Sequence, residues 1–141
     1  MTQLRLAIPA DIASVYAICL ATADAGQDAG APGRQGELYG HLYAGPYLDL
    51  AARFAWVAED GEGVCAYALA TDDSSAFYAR MEAAWLPPLR RQYQTAISPL
   101  DQGLLDRLHA PFTLDPRLAD WPGHLHIDLL PRCQGRGLGA A

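Results

Sequence analysis

The sequence predicts a mixed α/β fold in one domain, and three observations predict it. Short apolar runs bounded by turn residues recur at 4–8, 54–71 and 124–130, the signature of strands. Apolar residues at helical spacing fill several of the stretches between them. The chain has 141 residues, which suits one domain with a real core and leaves little room for two.

Leu4 to Ile8 forms the first strand, interrupted by Arg5 and ended by Pro9, which lacks a ladder donor. Asp11 is placed to cap a helix. Ile12, Val15, Tyr16 and Cys19 then follow at i, i+3, i+4, i+7, so an amphipathic helix is expected to run until Ala25-Gly26. Residues 24–36 carry four glycines and a proline and read as a loop. The loop is either a plain connector or a substrate-side segment offering Asp24, Gln27 and Asp28. Glu37 to Tyr43 is weakly helical, and Gly45-Pro46 is expected to break it.

Phe54–Glu59 and Val64–Thr71 flank Asp60-Gly61-Glu62-Gly63, the best hairpin signal in the chain. Ser74 or Ser75 is expected to cap a helix over Ala76–Trp85. Its Phe77, Met81 and Trp85 stripe reads as core. Pro87-Pro88 should stop or kink it. Leu100–Leu108 reads as a short helix with Leu104, Leu105 and Leu108 on one face. His124–Leu130 is the last strand, closed by Pro131, and RCQGRGLGAA follows.

Composition narrows the function. Hydrophobic residues at 51% against 18% charged exclude a disordered tail. Ten basic and sixteen acidic side chains give a net charge of −6, which argues against nucleic acid and tolerates cationic partners. Cys19, Cys65 and Cys133 are odd in number and widely spaced. No disulfide framework is therefore expected, and a reducing cytoplasm is the natural setting. The first residues lack the pattern of a signal peptide, and no apolar stretch nears the ~20 residues that span a bilayer, so no membrane partner is expected.

The segment Gln134-Gly135-Arg136-Gly137-Leu138-Gly139 carries the sharpest functional signal. Glycines let a backbone turn tightly and approach a ligand. Amides at such a turn can point at an anion, and a diphosphate is the expected guest. The plain alternative is a glycine-rich strand-to-helix turn. The spacing fits neither a Walker loop, which needs Lys-Ser or Lys-Thr, nor the G-x-G-x-x-G dinucleotide fingerprint. It does fit Q-x-x-G-x-G.

Leu129-Leu130-Pro131 followed by that turn resembles the acetyl-CoA signature of the GNAT acetyltransferases. The order of strands and helices is similar as well. ATADAGQDA, YAGPYL, WVAEDGEGVCAYALATDD and FYARMEAAWLPPLRRQY look like bacterial acetyltransferases related to the acetyltransferase-like domain of O-GlcNAcase. The animal domains of that group depart from the cofactor turn; this chain keeps it.

The resemblance implies the acyl-CoA N-acyltransferase fold, a central mixed sheet flanked by helices, with residues 1–141 as a single incomplete domain. The family fold continues past the fourth strand and the cofactor turn, with a further helix, strand, helix and hairpin. The tyrosine that often protonates the departing thiolate comes from that part. The resemblance also implies cofactor contacts at Leu129, Leu130, Gln134, Gly135, Arg136, Gly137, Leu138, Gly139 and Ala140. The co-substrate would be acetyl-CoA and the partner an amine; a homodimer stays an open alternative to a monomer.

Acetyl transfer to an ammonium needs a base and an oxyanion donor. Strand alternation puts His124, His126 and Asp128 on one face, so Asp128 and His126 are the candidate bases, with the Leu129 amide as the oxyanion donor. Against this, the histidines would bond neighbouring structure or lie under residues 89–123. Asp24 and Asp28 are candidate substrate-binding residues, against a solvated loop.

Two rival functions are carried forward. A pseudo-acetyltransferase would keep the fold as a binding module without catalysis. His124-x-His126-x-Asp128 also resembles the core of metallo-β-lactamase-type hydrolases, with His41 or His109 as further zinc ligands. The motif's next histidine is Leu129 here, so no metal is expected. Cys133 beside Arg132 is read as an idle loop cysteine rather than a nucleophile.

Overall fold

In the computed structural model, which describes every residue except 25–29 and 31–33, a four-stranded antiparallel sheet has the order β1-β2-β3-β4. These strands are Gln3–Leu6, Ala55–Asp60, Gly63–Thr71 and His124–Leu129. The β2–β3 hairpin forms as its turn residues demand. Asp60 accepts the Glu62 amide at 2.9 Å, and Gly63 has a φ of 107°, which a side chain would oppose. The register shifts between Ala58 and Glu59.

Helix α1, Ile12–Thr22, turns Val15, Ile18 and Cys19 inward. Asp11 precedes it, but its carboxylate does not cap α1. It folds back to accept the Ile8 amide at 2.8 Å and two bonds from Arg5. Arg5 sits mid-strand on the helix-covered face, and this pair with Asp11, joined by Glu59, lets a charge sit there.

Helix α2, Glu37–Tyr43, and α3, Gly45–Leu50, follow. Pro46 does not simply end α2; it lies in the first turn of α3, where a missing amide costs nothing. Helices α1 and α2 meet at Gly40, where a Cβ would lie 2.3 Å from the Tyr16 ring. Only glycine allows that approach.

Helix α4, Ser74–Arg80, is capped by Asp73 rather than by a serine, through the Ala76 amide at 2.9 Å. Ser74 is buried and bonds His124 instead. The chain then widens into a π-helical turn, Met81–Trp85, and continues as α5, Leu86–Gln92. Pro87-Pro88 therefore does not stop the helix; both prolines lie in the first turn of α5, directly after the wider turn. The wider turn relieves the clash of a proline ring with the carbonyl one turn back.

Helix α6, Gln102–His109, buries Leu104, Leu105 and Leu108. Glu82 binds Arg90 at 2.7 Å and accepts the Phe112 amide at 2.6 Å, while Arg90 reaches the Leu108 and Ala110 carbonyls. Residues 108–112 are thereby tied to the α4–α5 rod. Asp101, fully buried, accepts from Arg34 and from the Gln35 amide.

Among the described residues, the α-helices α1 to α6 cover one face of the sheet, where the main core lies. Leu4, Leu6, Trp56, Leu125 and Ile127 are exposed. Their register places them together on the opposite face.

One cysteine expectation is corrected. Cys65 in β3 is disulfide-bonded to Cys133, 68 residues away. The chain after β4 bends back through Pro131–Cys133, a 3-10 turn whose Cys133 amide donates to Leu130, and sets Cys133 beside β3. Such pairing follows from the path of β4, which cysteine spacing does not encode. The bond also removes the support that unpaired cysteines lent to a reducing compartment. Among the described residues, no helix is long and apolar enough to cross a membrane.

The half-buried histidines set a pH response. Burial holds the His41, His124 and His126 imidazoles below the usual 6.5. The folded state favours their neutral form, so the unfolded chain binds more protons as pH falls through 6.5. Urea midpoints at pH 7.5, 6.5 and 5.5 are expected to decline in that order. A second decline is expected below about pH 4, where carboxylates held low in the fold, Asp11 by Arg5 and Glu82 by Arg90, take up protons. A midpoint that rises on acidification to 5.5 contradicts this reading.

Candidate functional site

Strand β4 builds the site because it presents different groups on each side and along one edge. Tyr67 pairs with Asp128, Leu69 with His126 and Thr71 with His124. Directly paired residues share a face, and Tyr67 and Leu69 belong to the main core. The expected polar face therefore forms, and it looks toward the helices.

His124 is committed to structure. Its Nε2 meets the Tyr47 hydroxyl at 2.6 Å and its Nδ1 meets Ser74 Oγ at 2.6 Å. Its ring stacks on Tyr78. A neutral imidazole has one donor and one acceptor nitrogen, so one hydroxyl donates to it and the other accepts from it.

His126 differs. Its ring packs edge-on against Tyr47, but among the described residues it makes no hydrogen bond. Burial lowers its pKa, partly opposed by Asp128, which leaves a neutral imidazole with open nitrogens. The Asp128 carboxylate accepts the Tyr67 hydroxyl. Burial first, then Cys19 and Asp128, push the Tyr67 phenol far above its usual range. It therefore stays a donor and orients the carboxylate. Tyr67 was not a sequence-level candidate; the signal that could have found it is its place in the hairpin's second strand, whose partner only the register reveals.

His126 and Asp128 line a cavity of about 290 Å³ with Cys19, Thr22, Ala23, Tyr39 and Tyr43. Burial pushes the Cys19 thiol up to about 11, so it is a neutral wall. Asp24 is exposed just past Ala23 and is not among the lining residues. Asp28 lies outside the described residues.

The edge of β4 carries the second half of the site. Leu130 donates its amide to the Cys65 carbonyl at 2.9 Å. Amides alternate sides along a strand, so Leu129 and Ile127 aim theirs at the outer edge. No strand pairs there among the described residues. From that side Gln134 Nε2 donates to the Leu129 carbonyl at 3.0 Å.

The turn itself is held by its flanks. Leu138 packs on a small cluster of Ala58, Cys65, Ala66 and Cys133. Arg132 reaches Asp60 at 3.2 Å. Gly135 and Gly137 have φ of 71° and 76°. Backbone bonds in the segment use the amides of Cys133, Gln134, Ala140 and Ala141. Among the described residues, the amides from Gly135 to Gly139 make none. A Cβ built on Gly135, Gly137 or Gly139 meets nothing within 4 Å. The turn thus combines unengaged amides with glycines bordered by open space, a fit for a diphosphate.

The zinc set does not assemble. Both His124 nitrogens are engaged, His41 Nδ1 meets the Tyr16 hydroxyl and His109 Nε2 meets the Tyr93 carbonyl. The close cluster of potential ligands among the described residues is Asp60, Cys65 and Cys133, and its sulfurs are joined to each other.

No protein-family model matches the chain. A solved structure, SsHAT, is 39% identical, with 98% of this chain and 71% of that one covered and a TM-score of 0.87. Protein O-GlcNAcase from Rattus norvegicus and from Mus musculus are each 36% identical over 91 residues, which is 64% of this chain. The match spans about a tenth of the length of those curated relatives, 10% in each case.

Proposed function

Because the chain belongs to the GNAT-like acetyltransferase family, we propose that it moves an acetyl group from acetyl-CoA to a primary amine held against Asp128 and His126. One observation carries the reading. The outward amide of Leu129 lies on a strand edge that no strand pairs among the described residues, a few residues before the unengaged amides of 135–139 and next to Asp128, whose carboxylate lines a cavity.

When bound, acetyl-CoA supplies an activated acyl carbon: the amine nitrogen bonds to it, the C–S bond breaks, and the sulfur leaves as thiolate and ends as thiol. The chain's own residues do the rest. The amides of Gly135 to Gly139 hold the diphosphate. The Leu129 amide, fixed by the sheet, donates to the carbonyl oxygen as negative charge builds on it. Asp128, oriented by Tyr67, attracts the ammonium. His126, neutral and unbonded, takes the proton that frees the nitrogen lone pair.

Calorimetry of acetyl-CoA against the full-length gene product tests the binding half; no heat of binding defeats the proposal. The chemical half has its own test. The activity log of kcat/KM against pH should bend on an acid limb below 6.5, the side on which burial places His126. His126→Gln is expected to remove that limb and lower kcat by about 100- to 10,000-fold, while Asp128→Asn chiefly raises KM for the amine. Turnover by His126→Gln that equals the parent at every pH removes the histidine as base. Coenzyme binding with no transfer to any amine would turn the reading to the pseudo-acetyltransferase.

A further inference from the structure

The acceptor cavity has walls that choose among amines. Its volume, about 290 Å³, lies at the lower end of what holds a drug-sized molecule. A length of polypeptide would instead need a groove or sheet edge offering main-chain partners. On the cavity's helix side α1 contributes Cys19 and Thr22, followed by Ala23, and α2 contributes Tyr39 and Tyr43.

The two phenols give the cavity its chemistry. Aromatic faces pack against flat apolar bodies and attract cations. Tyr39 is a fixed wall, because Arg34 lies 5.1 Å over its ring and donates to its hydroxyl at 2.6 Å, and Arg34 is itself bound to the buried Asp101. The α2 helix that carries both rings is locked against α1 at Gly40. Strand β4 contributes the Asp128 carboxylate, aimed by Tyr67, and His126 to the same cavity. The neutral Cys19 thiol adds no charge. The arrangement is a two-ended one, aromatic at the helices and anionic at the strand.

Resting on the acyl-transfer reading, we infer that the acceptor is a small arylalkyl primary amine, bound as its ammonium with the ring against Tyr39 and Tyr43 and the nitrogen toward Asp128 and His126, rather than a lysine of a protein. Transfer balances as R–NH3⁺ plus acetyl thioester giving R–NH-acetyl, free thiol and one proton, which leaves through His126.

Thiol release by the full-length gene product, with acetyl-CoA, compares 2-phenylethylamine with a Gly-Lys-Gly peptide blocked at its N-terminus. The amine should have a kcat/KM at least tenfold higher. Tyr43→Ala should raise its KM about tenfold or more and leave the acetyl-CoA Kd within twofold, whereas Tyr43→Phe, which keeps the ring, should stay within twofold in both. A peptide that matches or exceeds the amine, or a Tyr43→Ala variant with the parent's KM, overturns the inference. If Tyr43→Ala does not fold, the parent's amine-to-peptide ratio decides alone. Acetyl-CoA binding with the peptide preferred defeats this inference only; absence of acetyl-CoA binding defeats the acyl-transfer reading beneath it.

Discussion

Gly137→Trp in the full-length protein is expected to weaken acetyl-CoA binding by at least a hundredfold, about 2.7 kcal/mol. The indole would occupy the open space in front of the amides of 135–139, where a Cβ on Gly137 meets no protein atom within 4 Å. For the same reason the fold should hardly notice the ring. The backbone does notice any side chain, because φ at Gly137 is 76° and an L-residue there costs about 1–2 kcal/mol. Gly137→Ala isolates that cost. It should lower the melting temperature about as much as Gly137→Trp does, yet leave most of the affinity. Calorimetric affinity and a thermal melt on the two variants separate blocked space from strained backbone. Equal affinity of Gly137→Trp and parent would remove the diphosphate from this turn.

Cys133→Ser is expected to cost about 4 kcal/mol of stability, the chain-entropy value for a crosslink closing a loop of this length, here a separation of 68 residues. The crosslink joins β3 to the residue before Gln134, so the loss should not stay global. The cluster of Ala58, Cys65, Ala66 and Cys133 that seats Leu138 would loosen, and the row of amides with it. Urea midpoints of parent and variant, with and without reductant, check the first part. Reductant should lower the parent's midpoint toward the variant's and leave the variant unmoved. Acetyl-CoA affinity checks the second, since a less ordered turn must be ordered on binding. A parent midpoint indifferent to reductant would mean that the two thiols are not joined.

Much of the fold was legible because it is written in local chemistry. The hairpin announced itself through Asp60-Gly61-Glu62-Gly63 between two β-rich runs, and both strands lie within a residue of expectation. Leucine spacing placed α6 correctly. Alternation placed His124, His126 and Asp128 on one face, as observed. The misreadings arose where a residue's standard local preference was overruled by another partner or by the backbone beside it. Ser74 has the chemistry of a cap, but His124, fifty positions on, takes its hydroxyl. Asp11 has it too, and Arg5 takes its carboxylate. Pro87-Pro88 reads as a stop or a kink, and the helix continues past it after a π-helical turn.

Spacing and periodicity alone determined which residues could form the turn, which strand leads into it and which side chains that strand shows together, since each depends on neighbours a few positions away. Only the tertiary structure decided that His124 is bound and His126 open, that Tyr67 aims Asp128, and that Cys65 meets Cys133. Each of those outcomes is a contact between segments far apart in the chain, set by strand register and by how helices cross the sheet. Register and crossing emerge from the whole core packing at once, and no window of sequence contains them.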